Sequence, residues 1–542
     1  MANARGIRRR ELLGAAAAGA AGLALGGRPL WAAFAAGTAC EQAVAHADVT
    51  AAPKRRPNIL LIVSDEHNAS ITGCYGNTIV RTPTLDGLAA RGVTFDAAYT
   101  SSPLCVPARL AITSGKYISR VGGWNNDCRL ASDEFPSLPR IMNAAGYESF
   151  LCGKMHYDSR HRYGFTEIGG NMNNGAMTGR GGRRAADDTQ VNTAARDSRF
   201  ASFHAGEGGS IKHDLRVTTG VLEFLSKRGR GEKPFFLLAG YLTPHFPLTV
   251  PEEYWAPYKG KIAMPELPAG HVEGQPLNYH HLRRGFGVVE TDPNLVRTGR
   301  ELYYGLTSWC DNQVGLVLKA LADAGLAEDT VIIYTTDHGE NMGEHALWWK
   351  NCMYQHAARV PLIASWPERW KGGQRRGGAC GHVDVVRTVA EIGGATVPDD
   401  WNGRSLCGWM DDGAAPWRDL AVSEYYAHNI ASGYAMIRMG QYKYVYHTPP
   451  DAGHPAQREL YDLAADPKEF TNLSARADQK DRVAAMHKAL VKELGQEPDE
   501  TEQRCRADYA KGYADAPPAG GGGGGKGAGK AGRAAKKAAA TL

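Results

Sequence analysis

Asn58-Ile59-Leu60-Leu61-Ile62-Val63-Ser64, followed at once by Asp65-Glu66-His67, is a continuous apolar run of strand length that stops abruptly in charge. It lacks the apolar and polar alternation of a half-exposed strand, so it predicts a strand covered on both faces, as in a parallel sheet between helices. The segments around it alternate in the same sense. Helices are expected at Leu85 to Arg91, Ser137 to Ala145, Leu215 to Lys227, about Arg297 to Ala324, and Val383 to Ile392. Strands are expected at Tyr147 to Cys152, Pro234 to Leu242, Thr330 to Thr336 and Val360 to Trp366. Such alternation predicts an α/β fold: a large, mostly parallel mixed sheet sandwiched by helices, over about residues 56–400.

Beyond residue 400 the pattern changes to short strands at Ala421 to Tyr425 and Ala435 to Tyr446, with a turn at Gly440-Gln441, then an amphipathic helix at Asp478 to Leu494. This predicts a smaller α+β subdomain over residues 401–500. Residues 160–210, rich in Gly, Asn, Arg and Ser, read as a long irregular insert, which in a compact domain is usually functional or mobile. The 542 residues, 43% hydrophobic and 22% charged, are globular in composition and exceed what one core usually supports.

The net charge of +5 is concentrated at the ends. Arg8-Arg9-Arg10 with the small apolar run Gly14 to Gly27 resembles a twin-arginine export signal, with Ala45-His46-Ala47 as a cleavage site, so residues 1–47 are expected to be removed. Residues 516–542, with a Gly run and Lys526, Lys530, Arg533, Lys536 and Lys537, lack the apolar content to fold. The body between is mildly acidic, which argues against nucleic-acid binding, and contains no run long enough to span a membrane. The ten cysteines show no CxxC and no regular spacing, so neither a zinc ribbon nor a disulfide scaffold is implied. Most are expected to be buried and inert.

Ligands bind beyond the carboxyl ends of strands in open parallel sheets. Four expected strands end in chemistry-bearing residues: Asp65-Glu66, Gly153-Lys154-Met155-His156, Thr243-Pro244-His245-Phe246-Pro247 and Asp337-His338-Gly339. A lone acidic pair is commonly a turn or helix cap and a lone His commonly structural, but four coincident placements point to one site. A fifth segment, Cys105-Val106-Pro107-Ala108-Arg109 with Gly115-Lys116 downstream, supplies a nucleophile candidate. This CxPxR segment resembles the active-site motif of the formylglycine-dependent sulfatases of the alkaline phosphatase superfamily. Arg56-Pro57-Asn58, Thr82-Pro83-Thr84-Leu85-Asp86, the GKxH and PHxP segments, Asp337 to His345 with Lys350, and Glu459 to Leu463 with Asp466, Pro467 and Glu469 extend the resemblance. Ser119 to Gly122 with Asn125-Asn126 is locally similar to choline-sulfatase-like members.

The resemblance implies hydrolysis of a sulfate monoester to an alcohol and inorganic sulfate. A plain thiol attacking sulfur has no easy release step, so Cys105 is expected to be converted to formylglycine (3-oxoalanine), whose hydrate carries two hydroxyls. It implies a divalent cation, calcium foremost with magnesium or manganese as alternatives, held by Asp65, Glu66, Cys105, Asp337 and His338. Glu66 stands where the family often has a second Asp, so it either ligates or swings away and leaves a water. Arg109 is assigned to the hydrate and sulfate, Lys154 and Lys350 to sulfate oxygens or the formylglycine hydroxyl, His156 to the base and His245 to the acid that protonates the leaving alcohol. Lys116 is expected to support Cys105 or Arg109 indirectly, and His345 and Trp348 either line the leaving-group side or simply pack. The implied partners are a sulfate ester and a formylglycine-generating enzyme acting before export, and the implied location is periplasmic or secreted. The competing readings are a phosphomonoesterase, phosphodiesterase or phosphonate monoester hydrolase of the same superfamily and, from another class, a non-catalytic binder of sulfated glycans.

Overall fold

After its first residue, every position of strand β1 (Asn58–Asp65) is buried, because β1 lies between two parallel neighbours and beneath helices on both faces. Ile59, Leu61 and Val63 point into a core shared with Val106 and Leu110 of the Cys105–Ser114 helix and with Val386 and Val389 of the His382–Ile392 helix. Leu60 and Ile62 point the other way, against Val217 and Val221 of the Gly209–Leu225 helix and Val314 and Val317 of the Pro293–Asp323 helix. Each such side chain contributes roughly 1.5–3 kcal/mol of transfer free energy on burial. An uninterrupted apolar run is therefore what this position requires. The computed structural model describes residues 56–173, 184–185, 188–191 and 198–511. The expected export signal, Cys40 and the Gly- and Lys-rich tail lie outside the described residues.

The remaining strands are β2 (Val93–Tyr99), β3 (Glu148–Gly153), β4 (Thr166–Glu167), β5 (His204–Ala205), β6 (Phe235–Pro244), β7 (Thr249–Val250), β8 (Thr330–Thr336), β9 (Leu362–Ser365), β10 (Gln374–Gly381), β11 (Leu420–Tyr425), β12 (Tyr434–Met439), β13 (Tyr442–His447) and β14 (Gln457–Asp462). Eight form one sheet in the order β10-β2-β9-β8-β1-β6-β3-β4. Its pairings are parallel except at β9, which runs antiparallel to both β8 and β2. The sheet is thus mixed and mostly parallel. Because β3, β6, β1 and β8 are adjacent and parallel, the four charged segments that follow them emerge side by side at one edge. β2 runs in the same direction, and the chain leaving it delivers Cys105 to that edge.

The C-terminal unit is a four-stranded antiparallel sheet, β11 to β14 in sequence order. One face packs on the Lys480–Leu494 helix through Ile437, Tyr444, Leu460, Met486 and Leu490. The other, with Tyr434, Met436, Val445 and Tyr461, packs against Leu347, Met353 and Tyr354, directly behind the loop that follows β8. Eight of the nine described cysteines are buried and none is disulfide-bonded.

Several elements differ from expectation. β2 was hidden by an interrupted pattern, and β10 by the polar sequence Gln374-Arg375-Arg376, which suits an edge strand whose Arg375 pairs with Asp96. The Gly209–Leu225 helix starts six residues before the expected Leu215, and a Pro498–Ala510 helix with little apolar periodicity closes the described chain.

Candidate active site

The site is organised by a buried arginine. Arg109 lies one turn into the Cys105–Ser114 helix and is fully buried. Its Nε donates to Asp337 Oδ2 at 2.8 Å, one Nη to Asp65 Oδ2 at 2.8 Å and the other to the Lys154 carbonyl at 2.6 Å. One planar fork thereby fixes the carboxylates that end β1 and β8 and the loop that follows β3. With these donors engaged, Arg109 faces the carboxylates rather than open space. Arg109 thereby positions the groups around it.

Cys105 opens that helix, where the aligned amides favour negative charge. Its Sγ is 3.2 Å from His338 Nε2 and 3.9 Å from Asp65 Oδ1. Burial, with Asp65 adding, pushes its thiol up to about 12. His338 Nδ1 donates to the Gly339 carbonyl at 3.1 Å, which leaves the Nε2 lone pair aimed at the cluster. Ligand atoms of Asp65, Cys105, Asp337 and His338 all lie within 4.8 Å of one another. Two carboxylates, an imidazole lone pair and the side chain of residue 105 form a donor set that fits a divalent cation.

Glu66 is fixed through its backbone. Its backbone is left-handed at φ 63°, its N–H donates to Asp337 Oδ1 at 3.1 Å, and its carbonyl accepts from the Tyr303 hydroxyl at 2.5 Å. Its carboxylate turns to Lys350 Nζ at 3.0 Å and His245 Nε2 at 3.1 Å, outside the four-residue cluster. Glu66 thus lies beside Lys350 and His245, and its carboxylate, with Asp65 and His245, forms a second group of ligand atoms within 4.8 Å of one another. Burial raises its carboxyl well above the usual range and the adjacent Glu340 adds to this, with Lys350 opposing.

Lys154 Nζ lies 2.5 Å from Asp65 Oδ2. Burial opposes the charge on Asp65, but the Lys154 and Arg109 charges outweigh it and hold the carboxyl well below its usual range. His245 donates from Nδ1 to the Phe246 carbonyl at 2.5 Å and accepts at Nε2 from Lys350 Nζ at 2.6 Å. Burial and the Lys350 charge keep it neutral, well below the usual histidine range. His156, at φ 62°, is likewise held neutral by burial, Lys154 and Arg109, and its Nδ1 is buried with no hydrogen-bond partner. An orphaned ring nitrogen within reach of the Lys154 and Lys350 charges is a place where a hydroxyl from a reacting group would be satisfied.

The expectation for Lys116 changes, and of the two alternatives for His345 and Trp348 the structure shows packing. Lys116 pairs with Asp400, away from Cys105 and Arg109. His345 stacks on Tyr354 at 3.6 Å and bonds to His271 at 2.8 Å, and Trp348 sits among Phe200, Phe203 and Trp349, so both pack. Supports that the sequence reading missed include Glu340, whose Oε1 accepts from the Met342 and Trp349 amides at 2.8 and 2.7 Å and so shapes the turn that delivers Lys350. Thr100 donates to the Asp337 carbonyl at 2.5 Å, and Asn173 clamps the Gly153 carbonyl and the Met155 amide at 2.9 and 2.8 Å. Glu340 was within the quoted Asp337 to His345 segment; Thr100, Asn173 and Tyr303 carry no local signal.

The architecture has known counterparts. Residues 57–395 match the family described as Sulfatase, and residues 343–496 match the one described as N-sulphoglucosamine sulphohydrolase, C-terminal. An arylsulfatase of Clostridium perfringens is 27% identical over 478 residues, covering 81% of this chain and 94% of that relative. An N-acetylglucosamine-6-O-sulfatase of Bacteroides thetaiotaomicron is 25% identical, covering 83% and 88%. Among solved structures, the phosphonate monoester hydrolase of Agrobacterium radiobacter aligns with a TM-score of 0.66 at 23% identity, covering 84% of this chain and 96% of that one.

Proposed function

The chain belongs to the sulfatase family and is a sulfuric ester hydrolase, and we propose that its nucleophile is residue 105 after conversion of Cys105 to formylglycine. The observation that carries this reading is the convergence on Cys105, at a helix N-terminus, of Asp65 and His338 with Asp337 in the same cluster. The hydrated aldehyde supplies two hydroxyls on one carbon, one to attack sulfur and one to give up its proton as sulfate leaves and the aldehyde re-forms. Asp65, Asp337, His338 and residue 105 would hold a divalent cation, calcium foremost with magnesium or manganese as alternatives. When bound, it supplies charge that polarises sulfate oxygens and lowers the pKa of an attacking hydroxyl.

The chain's own groups do the rest. Lys154 and Lys350 present ammonium charges to the sulfate oxygens, where negative charge accumulates. The buried His156 Nδ1, neutral and without a partner, is suited to take the second hydroxyl's proton. His245 Nε2 accepts from Lys350 at 2.6 Å, so a proton held between them can pass to the departing alcohol oxygen. Arg109 keeps Asp65, Asp337 and the Lys154 loop in register. Residues 1–47 read as a twin-arginine signal, which would have a formylglycine-generating enzyme act before export and the mature enzyme work in the periplasm or outside the cell.

The rival chemistry is phosphoryl or phosphonyl ester hydrolysis, since a phosphonate monoester hydrolase shares the fold. Metal-replete enzyme should turn over an aryl sulfate with kcat/KM at least roughly tenfold above an aryl phosphate or phosphonate of the same leaving group. The reverse order would overturn the sulfate assignment.

A further inference from the structure

Lys350 sits between two residues with left-handed backbones, Trp349 at φ 66° and Asn351 at φ 82°. Neither is a glycine, and a bulky residue in that conformation persists only where surrounding contacts impose it. On the Trp349 side the contacts come from the same loop. The amide donates to Glu340 Oε1 at 2.7 Å, and the carbonyl accepts from the Asn341 amide and side chain at 2.8 and 2.7 Å. On the Asn351 side they come from elsewhere in the fold. Its N–H donates to the Pro103 carbonyl at 3.1 Å, just ahead of Cys105, its Nδ2 donates to the Tyr425 hydroxyl at 2.8 Å, and its carbonyl accepts from the Tyr434 hydroxyl.

Tyr425 ends β11 and Tyr434 opens β12, so both hydroxyls belong to the C-terminal sheet. The two side chains are fully buried with their rings 5.2 Å apart, and Tyr279 meets Tyr434 edge-on at 5.7 Å. Packed rings of this kind hold their hydroxyls at fixed points. Asn351, itself buried, therefore joins the C-terminal sheet, the segment leading to Cys105 and the lysine within one residue. What it fixes matters because Lys350 Nζ must meet His245 Nε2 at 2.6 Å and Glu66 at 3.0 Å, and a misplacement of about 1 Å breaks such a bond and can cost on the order of 100-fold in rate.

We propose that Asn351 is a positioning residue for Lys350, and that the Tyr425 and Tyr434 hydroxyls are the means by which the C-terminal sheet holds that lysine against His245. This deepens the reading given above and rests on the roles it assigns to Lys350 and His245. Asparagine suits the place because it tolerates the left-handed backbone and also supplies a side-chain donor, which glycine lacks. The route does not pass through Lys443 of the same sheet, whose partners are Glu469 and the Met353 carbonyl.

The test compares phenyl and 4-nitrophenyl sulfate in wild-type, Tyr425→Phe, Asn351→Gly and Lys350→Met enzyme, with turnover expressed per folded chain. A phenolate needs the proton that 4-nitrophenolate can leave without, so Tyr425→Phe and Asn351→Gly should each lower kcat/KM for phenyl sulfate at least roughly tenfold more than for 4-nitrophenyl sulfate. The Asn351→Gly/Tyr425→Phe double variant should be no worse than Asn351→Gly, and in a Lys350→Met background Tyr425→Phe should change kcat/KM by less than about twofold. Tyr444→Phe removes a hydroxyl from the opposite face of the same sheet, where it meets His487 at 3.2 Å, and should stay within about twofold of wild type. If Lys350→Met is damaging while Tyr425→Phe and Asn351→Gly keep the wild-type ratio, or lose equally on both esters, the positioning role is overturned and the lysine assignment stands. If Lys350→Met leaves turnover unchanged, both fall. The same two leaving groups carried on phosphate give the same contrast, so the outcome for Asn351 is read separately from the preference for sulfate.

Discussion

The edge of the large sheet and the interior of the C-terminal sheet both bury charge, but they arrange it differently. In the C-terminal sheet, Lys443 is fully buried against Glu469 and the Met353 carbonyl, and His447 meets Glu459 at 2.6 Å, with the Tyr461 hydroxyl donating to the same carboxylate at 2.8 Å. The charges there are matched locally. At the sheet edge, Asp65, Asp337, His338 and Cys105 converge on one point, Lys154 and Lys350 are added, and the His156 nitrogen is left without a partner. Burial is similar in the two places; convergence of several ligand atoms on one point distinguishes a reaction centre from a structural ion pair.

Substitution on each side sharpens that contrast. Arg109→Ala leaves two buried carboxylates without their shared partner, so we expect a loss of stability of about 3–5 kcal/mol and a fall in kcat/KM of roughly 100-fold or more. Lys443→Met, which strands Glu469, should cost a comparable 3–5 kcal/mol. It should leave kcat per folded chain within about twofold of wild type, because Lys443 touches none of the groups proposed to act on substrate. Denaturant melts and steady-state kinetics on the same preparations check both. If Lys443→Met abolished turnover in fully folded protein, the separation of the two regions would fail.

A smaller effect concerns pH. His67 and His382 lie under the catalytic edge, and burial lowers each to about 4. His382 takes the Ser101 amide on Nδ1 at 3.3 Å and donates from Nε2 to the Thr336 carbonyl at 2.8 Å, an arrangement only the neutral ring satisfies. The unfolded chain binds these protons below about pH 6.5 and the native chain only near 4, so stability falls as pH drops across that window. Each histidine accounts for on the order of 3 kcal/mol of the full loss. His382→Gln should flatten the dependence of melting temperature on pH between 6.5 and 4, and an unchanged slope would show that His382 is not held neutral.

Much of this was legible in sequence for a definite reason. A strand covered on both faces must be apolar throughout, so β1 and β8 announce themselves, and parallel neighbours present their C-terminal loops together. That placed Asp65, Lys154, His245 and Asp337 at one edge before any geometry. The Glu66 carboxylate could not be placed so easily, because its direction depends on a left-handed backbone fixed by Tyr303 and Asp337, both more than 230 residues away in sequence. The Arg109 fork could not be read for the same reason: its partners belong to three separate loops. β10 and the Pro498–Ala510 helix were missed because edge positions carry polar residues without periodicity.

The most direct measurement takes enzyme preparations with graded conversion of Cys105, quantifies aldehyde against thiol by peptide mass spectrometry, and follows aryl sulfate turnover with saturating metal. The account predicts kcat per chain proportional to the aldehyde fraction, with an intercept near zero for wholly unconverted chain. Full turnover by protein carrying only a thiol at position 105, or by Cys105→Ala, would contradict it.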